Sequence, residues 1–115
     1  MKNVIQYKTD RLDYENETGN NIESGQLVPL NDDGTLVMIA SGDIADGSKG
    51  VLARDIVVTV PKVAAGEIEK GTRFKVGTAG NTVQAITAGE TALVMNAFAY
   101  RTAADGDETA QIVVE

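Results

Sequence analysis

An isoleucine stands three residues ahead of a glycine at Ile22–Gly25, Ile44–Gly47, Ile68–Gly71 and Ile86–Gly89, and Ala103–Gly106 is a weaker copy. A type I turn accepts almost any residue at its centre and favours Gly at its last position. Each copy therefore reads as a corner whose Ile tucks into a core while the chain reverses. The intervals between copies are unequal, which argues against a solenoid. A chain of 115 residues that reverses this often has room only for short strands. Short strands spaced by turn signals read as an all-β sandwich or barrel.

The segments between corners fit that class. Residues 26–30 and 35–40 flank Asn31-Asp32-Asp33-Gly34, and Asp-Gly predicts a hairpin with a type I′ turn, which needs positive φ at both central residues. Pro29 has no N–H to give, so its strand belongs at an edge. Residues 51–60 form the longest β-branched run and stop at Pro61. In 72–76 Phe74 and Val76 alternate inward with Arg73 and Lys75 in water, and 82–86 follow after a turn. Residues 92–100 are apolar on both faces, as a central strand would be, with helix as the alternative because Ala, Leu and Met are good helix formers. Phe74 and Phe98 are expected in the core. Residues 109–114 close the chain, and a single helical turn fits 61–69.

Composition separates an N-terminal segment from the rest. Residues 1–24 are polar and charged, with Leu12, Tyr14 and Ile22 too thinly spread to build a core; 25–115 read as the β domain. The segment is expected to be an arm that orders on a partner, adding a strand or laying Val4, Ile5 and Tyr7 into a groove.

Several function classes are disfavoured. The formal net charge is −7, whereas binding nucleic acid needs clustered Lys and Arg to neutralise phosphates. The chain has no His and no Cys. That removes the commonest general base, thiol nucleophiles, disulfides and thiolate metal sites. No stretch approaches the ~20 apolar residues of a membrane span, and residues 1–8 hold no apolar core of a secretion signal. We expect no cofactor, no metal and no catalytic residue.

The motifs that come nearest to chemistry fall short. Gly42-Asp43-Ile44-Ala45-Asp46-Gly47-Ser48-Lys49 has Ser and Lys in the wrong order for a P-loop, two carboxylates that would repel phosphate, and no helix start to hold one. Asn31–Gly34 and Asp105–Glu108 are acidic but lack the alternating oxygen ligands of a calcium loop. Lys62 and Arg54 are the cations most embedded in apolar sequence. Their stems cover apolar surface while the heads stay wet, or they form charge pairs across a subunit interface.

The residues resemble a known family. Met1-Lys2-Asn3, Ile22–Val28, Ile39-Ala40 with Asp43–Gly47, Val60-Pro61-Lys62, Ile68–Thr72 and Asp105–Thr109 occur in the order found in capsid cement (decoration) proteins of tailed phages. The resemblance covers roughly residues 22–114. It departs at Gly71-Thr72, where the family usually has Gly-Asp.

The resemblance implies a small β-sandwich or barrel of the β-tulip or β-clip kind, carrying an extended arm. It implies a virion protein made in the host cytoplasm, with the major capsid protein as partner and a homotrimer clamping neighbouring shell subunits. The arm residues Asn3, Val4, Ile5 and Tyr7 would then contact the shell. Two alternatives stay open at this point. One is a tail or head–tail connector component, and the other a carboxylate-based hydrolase.

Overall fold

A computed structural model describes residues 11–77, 81–87, 89–90 and 93–115. The described residues are all-β, with no helix, and form a sandwich of open antiparallel sheets. Nine strands are present among them: β1 (Arg11–Glu15), β2 (Leu27–Pro29), β3 (Val37–Ala40), β4 (Lys49–Ala53), β5 (Ile56–Pro61), β6 (Lys75–Val76), β7 (Val83–Gln84), β8 (Ala97–Ala99) and β9 (Thr109–Val114). The first sheet has the order β1-β4-β3-β2, the second β5-β9-β8, and β6-β7 is a small separate hairpin.

Strand alternation decides the packing. Leu27, Val37 and Ile39 face one side of the first sheet and join Val60, Ala97, Ala99, Ala110, Ile112 and Val114 of the second sheet in the main core. Three of the second sheet's inward positions are alanines, which leaves space that Phe74 fills, fully buried. The other face of the first sheet, Val28, Met38, Ala40 and Leu52, builds a second core with Ile22 and Ile44.

That second core overturns one expectation. Leu12 and Tyr14 pack against it from β1, and Ile22 is 3% exposed. Sparse apolar residues suffice because they alternate: β1 pairs with β4 in the register Leu12↔Leu52 and Tyr14↔Gly50, so both side chains land on one face.

The turns reverse the expected assignment. Gly25, Gly47, Gly71, Gly89 and Gly106 all have positive φ. The i→i+3 bond, however, begins one residue after the Ile. Gln26 N donates to Glu23 O at 3.0 Å, Ser48 N to Ala45 O at 2.9 Å, Thr72 N to Glu69 O at 3.1 Å and Asp107 N to Ala104 O at 3.0 Å. Glycine is thus third of four with positive φ, the type II pattern, rather than last in a type I turn. The loop expected to be type I′ has Gly last instead: Gly34 N donates to Asn31 O at 3.1 Å, and Asp32 and Asp33 keep negative φ.

Other boundaries shift for physical reasons. The run 51–60 splits at Arg54-Asp55, where Asp55 adopts φ 61° and the chain passes from one sheet to the other. Residues 92–100 contribute β8, an edge strand rather than a central one. Phe98 points away from the core, because Ala97 and Ala99 take the inward positions. The stretch 61–69 holds bends and two isolated bridges in place of a helical turn. Pro29 ends β2, an edge strand as expected for a residue with no N–H, and Pro61 ends β5, which among the described residues also lies at an edge.

Candidate assembly surface

Four of the five corners meet in pairs. Ile22 and Ile44 exchange backbone hydrogen bonds at 2.9 and 2.8 Å, and Ile68 and Ala103 do the same at 2.8 Å each. Within each pair the residue preceding one corner supports the other. Ser24 N donates to Asp43 Oδ1 at 2.8 Å, Asp46 N to Asn21 Oδ1 at 2.9 Å and Lys70 N to Thr102 Oγ1 at 3.1 Å.

The acidic residues in the apparent P-loop and calcium loops are used in the same way. Asp46 accepts from Gly19 N, Asp105 from Gly66 N and Asp107 from Ala104 N. Their carboxylates serve as backbone acceptors that fix turns. Among the described residues no three acidic groups gather closely enough to hold a metal ion.

Two residues that sequence reading missed hold the scaffold rigid. Asn16 is fully buried. Its Nδ2 donates to Asn20 O at 2.7 Å and Ile44 O at 3.0 Å, and its Oδ1 accepts from Thr18 N and Oγ1. Asn96 joins the two sheets: its Oδ1 accepts from Val37 N at 3.0 Å, while Nδ2 donates to Val37 O at 2.7 Å and Glu115 O at 3.2 Å. Nothing in a lone Asn marks such a role; only the long-range pairing does.

Lys62 is 5% exposed. Its ammonium donates to Val63 O and Ala64 O at 3.0 Å and to Asp107 O at 3.4 Å, so its three donors have three backbone acceptors within the chain. Arg54 is half-buried at the β4–β5 junction, eight residues before Lys62. The arm residues Asn3, Val4, Ile5 and Tyr7 lie outside the described residues. Lys75 and Glu90 form an ion pair at 2.8 Å, and chiefly that hydrogen bond holds the Glu90 carboxyl below its ordinary range.

What the scaffold presents is apolar strand surface. On the outward face of the second sheet the register aligns Phe98, Val113 and Val57 in one row across all three strands. Val57 is 53% exposed and Tyr100, just beyond β8, 43%. Arg101 stands over the Tyr100 ring, 5.8 Å from its centroid. A second patch joins Leu30, Leu36 and Met95 at the end of the β2–β3 hairpin, where Met95 N donates to Thr35 O. Phe98 and Val113 are half-buried and Val57 is exposed, and a contiguous apolar row that reaches solvent on a sheet face marks an interaction surface.

Rigid corner-braced sheets with their polar groups spent internally and their outer strand face left apolar define a structural β module. The chain belongs to the phage cement protein family, whose pattern it matches over residues 5–114. The match extends further toward the N-terminus than the resemblance read from sequence and includes β1. No curated protein is matched by the chain. Membership makes this a phage structural protein associated with capsids.

Proposed function

We propose that the protein binds the outer surface of the assembled capsid and stabilises the shell lattice, acting as a homotrimer made in the host cytoplasm. The observation that carries this reading is the outward row Phe98–Val113–Val57, an apolar strip that a solitary subunit covers only in part. Burying it between subunits gives about 25 cal/mol per Å² of apolar area removed, and a closed three-subunit ring uses the same strip on every copy. Arg54, three residues ahead of Val57 in the chain, supplies a charge across that contact. The arm residues Asn3, Val4, Ile5 and Tyr7 reach the major capsid protein.

The stabilisation is mass action. A ligand that binds the assembled shell and not its separated subunits shifts the equilibrium toward the shell, and three linked contacts bind more tightly than one. No catalytic group is required.

Sedimentation equilibrium and head binding test the reading together. The wild-type chain should sediment as a trimer, and Val113→Glu, which places a charge in the middle of the row, should sediment as a monomer. Removing residues 1–10, which leaves β1 whole, should weaken binding to purified expanded heads at least tenfold. A wild-type chain that stays monomeric at all concentrations, or a truncated chain that binds as tightly as the full one, refutes the corresponding part.

A further inference from the structure

Every strand of the two larger sheets has one terminus at a common junction. In the first sheet Arg11 lies opposite Ala53 and Pro29 opposite Val37. In the second, Ile56 and Ala97 both lie opposite Val114. Asn96 ties these termini together through Val37 and Glu115, and Arg54-Asp55 carries the chain across. The corners 22–25, 44–47, 68–71 and 103–106 all fall at the other strand termini: before β2, between β3 and β4, after β5, and between β8 and β9.

The two ends differ in chemistry. The corner end is acidic, with Glu17, Glu23, Asp46, Glu69, Asp105 and Glu108 all exposed. The junction end gathers apolar side chains in water instead. Leu30 and Leu36 are 38% and 42% exposed and Met95 is 65% exposed. Leu30 N donates to Leu36 O at 2.8 Å and Met95 N to Thr35 O at 2.7 Å, while Arg73 Nη1 donates to Met95 O. The three side chains are therefore mounted on fixed backbone, and methionine adapts readily to the relief of a partner surface.

The loop between the leucines closes by polar bonds alone. Asn31 Oδ1 accepts from Thr35 N, Asn31 Nδ2 donates to Thr35 Oγ1, and Gly34 N donates to Asn31 O. Leu30 and Leu36 are thus left over from folding, and an apolar patch on a braced loop marks a contact with something outside the chain. Position adds a second argument. Arg11, to which residues 1–10 are joined, stands at this same end, so the root of the arm and the apolar patch share one side of the molecule.

We propose that the junction end, through Leu30, Leu36 and Met95, is the face that meets the outer surface of the assembled shell, and that the acidic corners point away from it. The inference rests on the cement reading and adds its orientation. The matching site on the shell is a shallow apolar depression. The row Phe98–Val113–Val57 runs across the side of the second sheet, so it stays available for contact between subunits.

The chain has no cysteine of its own, so single introduced thiols report which end is covered. Met95→Cys marks the junction end and Glu23→Cys the corner end, both at exposed positions. Each is labelled with a maleimide-polyethylene glycol reagent, free and bound to purified expanded heads. Head binding should slow labelling of Met95→Cys at least tenfold and leave Glu23→Cys within twofold of its free rate. Leu36→Glu and Met95→Glu should each weaken head binding at least tenfold at unchanged sedimentation mass and melting temperature, while Glu23→Lys binds as wild type does. Unslowed labelling of Met95→Cys, shielding of Glu23→Cys, or full binding by both glutamate variants would overturn the orientation and leave the cement reading standing. A wild-type chain that does not bind heads would overturn both.

Discussion

Replacing Asn16 by Ala removes four hydrogen bonds from a fully buried side chain. Each is worth about 0.5–1.5 kcal/mol net. Two lost partners are softened: Ile44 O still accepts from Ile22 N, and Asn20 O from Thr18 Oγ1. Thr18 is exposed and can turn to water. The expected destabilisation is about 3 kcal/mol. For a chain of this length, unfolding entropy near 60 °C is roughly 240 cal/mol/K, so the melting temperature should fall by about 12 °C.

Asn16→Asp sharpens the test because it keeps the shape. It sets a carboxylate oxygen against the carbonyls of Asn20 and Ile44, so burial and those dipoles raise its pKa above the unfolded value of about 3.9. A raised acid favours the folded state only when protonated. The variant's deficit should therefore be full at pH 7 and shrink as pH falls through the folded pKa. Thermal melts followed by circular dichroism at pH 7 and pH 4 measure both effects. A loss below about 1 kcal/mol for Asn16→Ala, or an Asn16→Asp variant as stable as wild type at pH 7, would refute the bracing role assigned to this residue.

Gly50→Ala should cost about 1–3 kcal/mol, because its Cβ would overlap Ile44 Cγ1 and lie 2.7 Å from Cδ1; in an Ile44→Ala background most of that cost should vanish in urea denaturation. Gly47→Ala meets no atom within 4 Å, so only the positive φ resists it, at about 1 kcal/mol. Lys62→Met strips the ammonium from three carbonyls and should lower stability by about 2–3 kcal/mol at every protein concentration, whereas a purely intersubunit role would make the loss concentration-dependent. Glu90→Gln should lower stability slightly at pH 7, with the difference from wild type vanishing at low pH, so that the acid limb is flatter. The depressed carboxyl contributes above its unfolded pKa, and that contribution is lost as pH falls through the lower folded value.

Much of the fold was legible where a residue's role is local. Pro29 pointed to an edge because a missing N–H excludes a central position, and Pro61 marked the end of its run. The Ile-x-x-Gly spelling located its corners because only the glycine accepts the left-handed backbone there; Ile22, Ile44 and Ile68 are buried as expected, whereas Ile86 is 42% exposed. The turn type was harder to read, since Ile and Gly fix neither which residue accepts the closing bond nor the φ between them. Ile39–Gly42 carries the same spelling, yet Gly42 lacks positive φ, because Ile39 and Ala40 are committed to β3.

Roles set by distant partners left no local mark. Phe98 reads as core until Ala97 and Ala99 are seen to take the inward positions. Asn16 and Asn96 act through carbonyls up to 59 residues away. Lys62 read as a surface cation because its acceptors are backbone carbonyls, two of them local and the third from the Asp107 corner 45 residues away, which no side-chain type announces. The family resemblance was readable because it rests on ordered corners, while the assembly row Phe98–Val113–Val57 depends on a strand register that sequence does not print.

The central claim is that this chain recognises an assembled shell. The direct measurement is co-sedimentation with purified expanded heads from which it has been removed, alongside unassembled capsid subunits at the same protein concentration. Saturable binding to heads alone, in multiples of three copies per site and with a raised temperature of shell disruption, is the predicted result. No association with heads, or equal association with unassembled subunits, would contradict it.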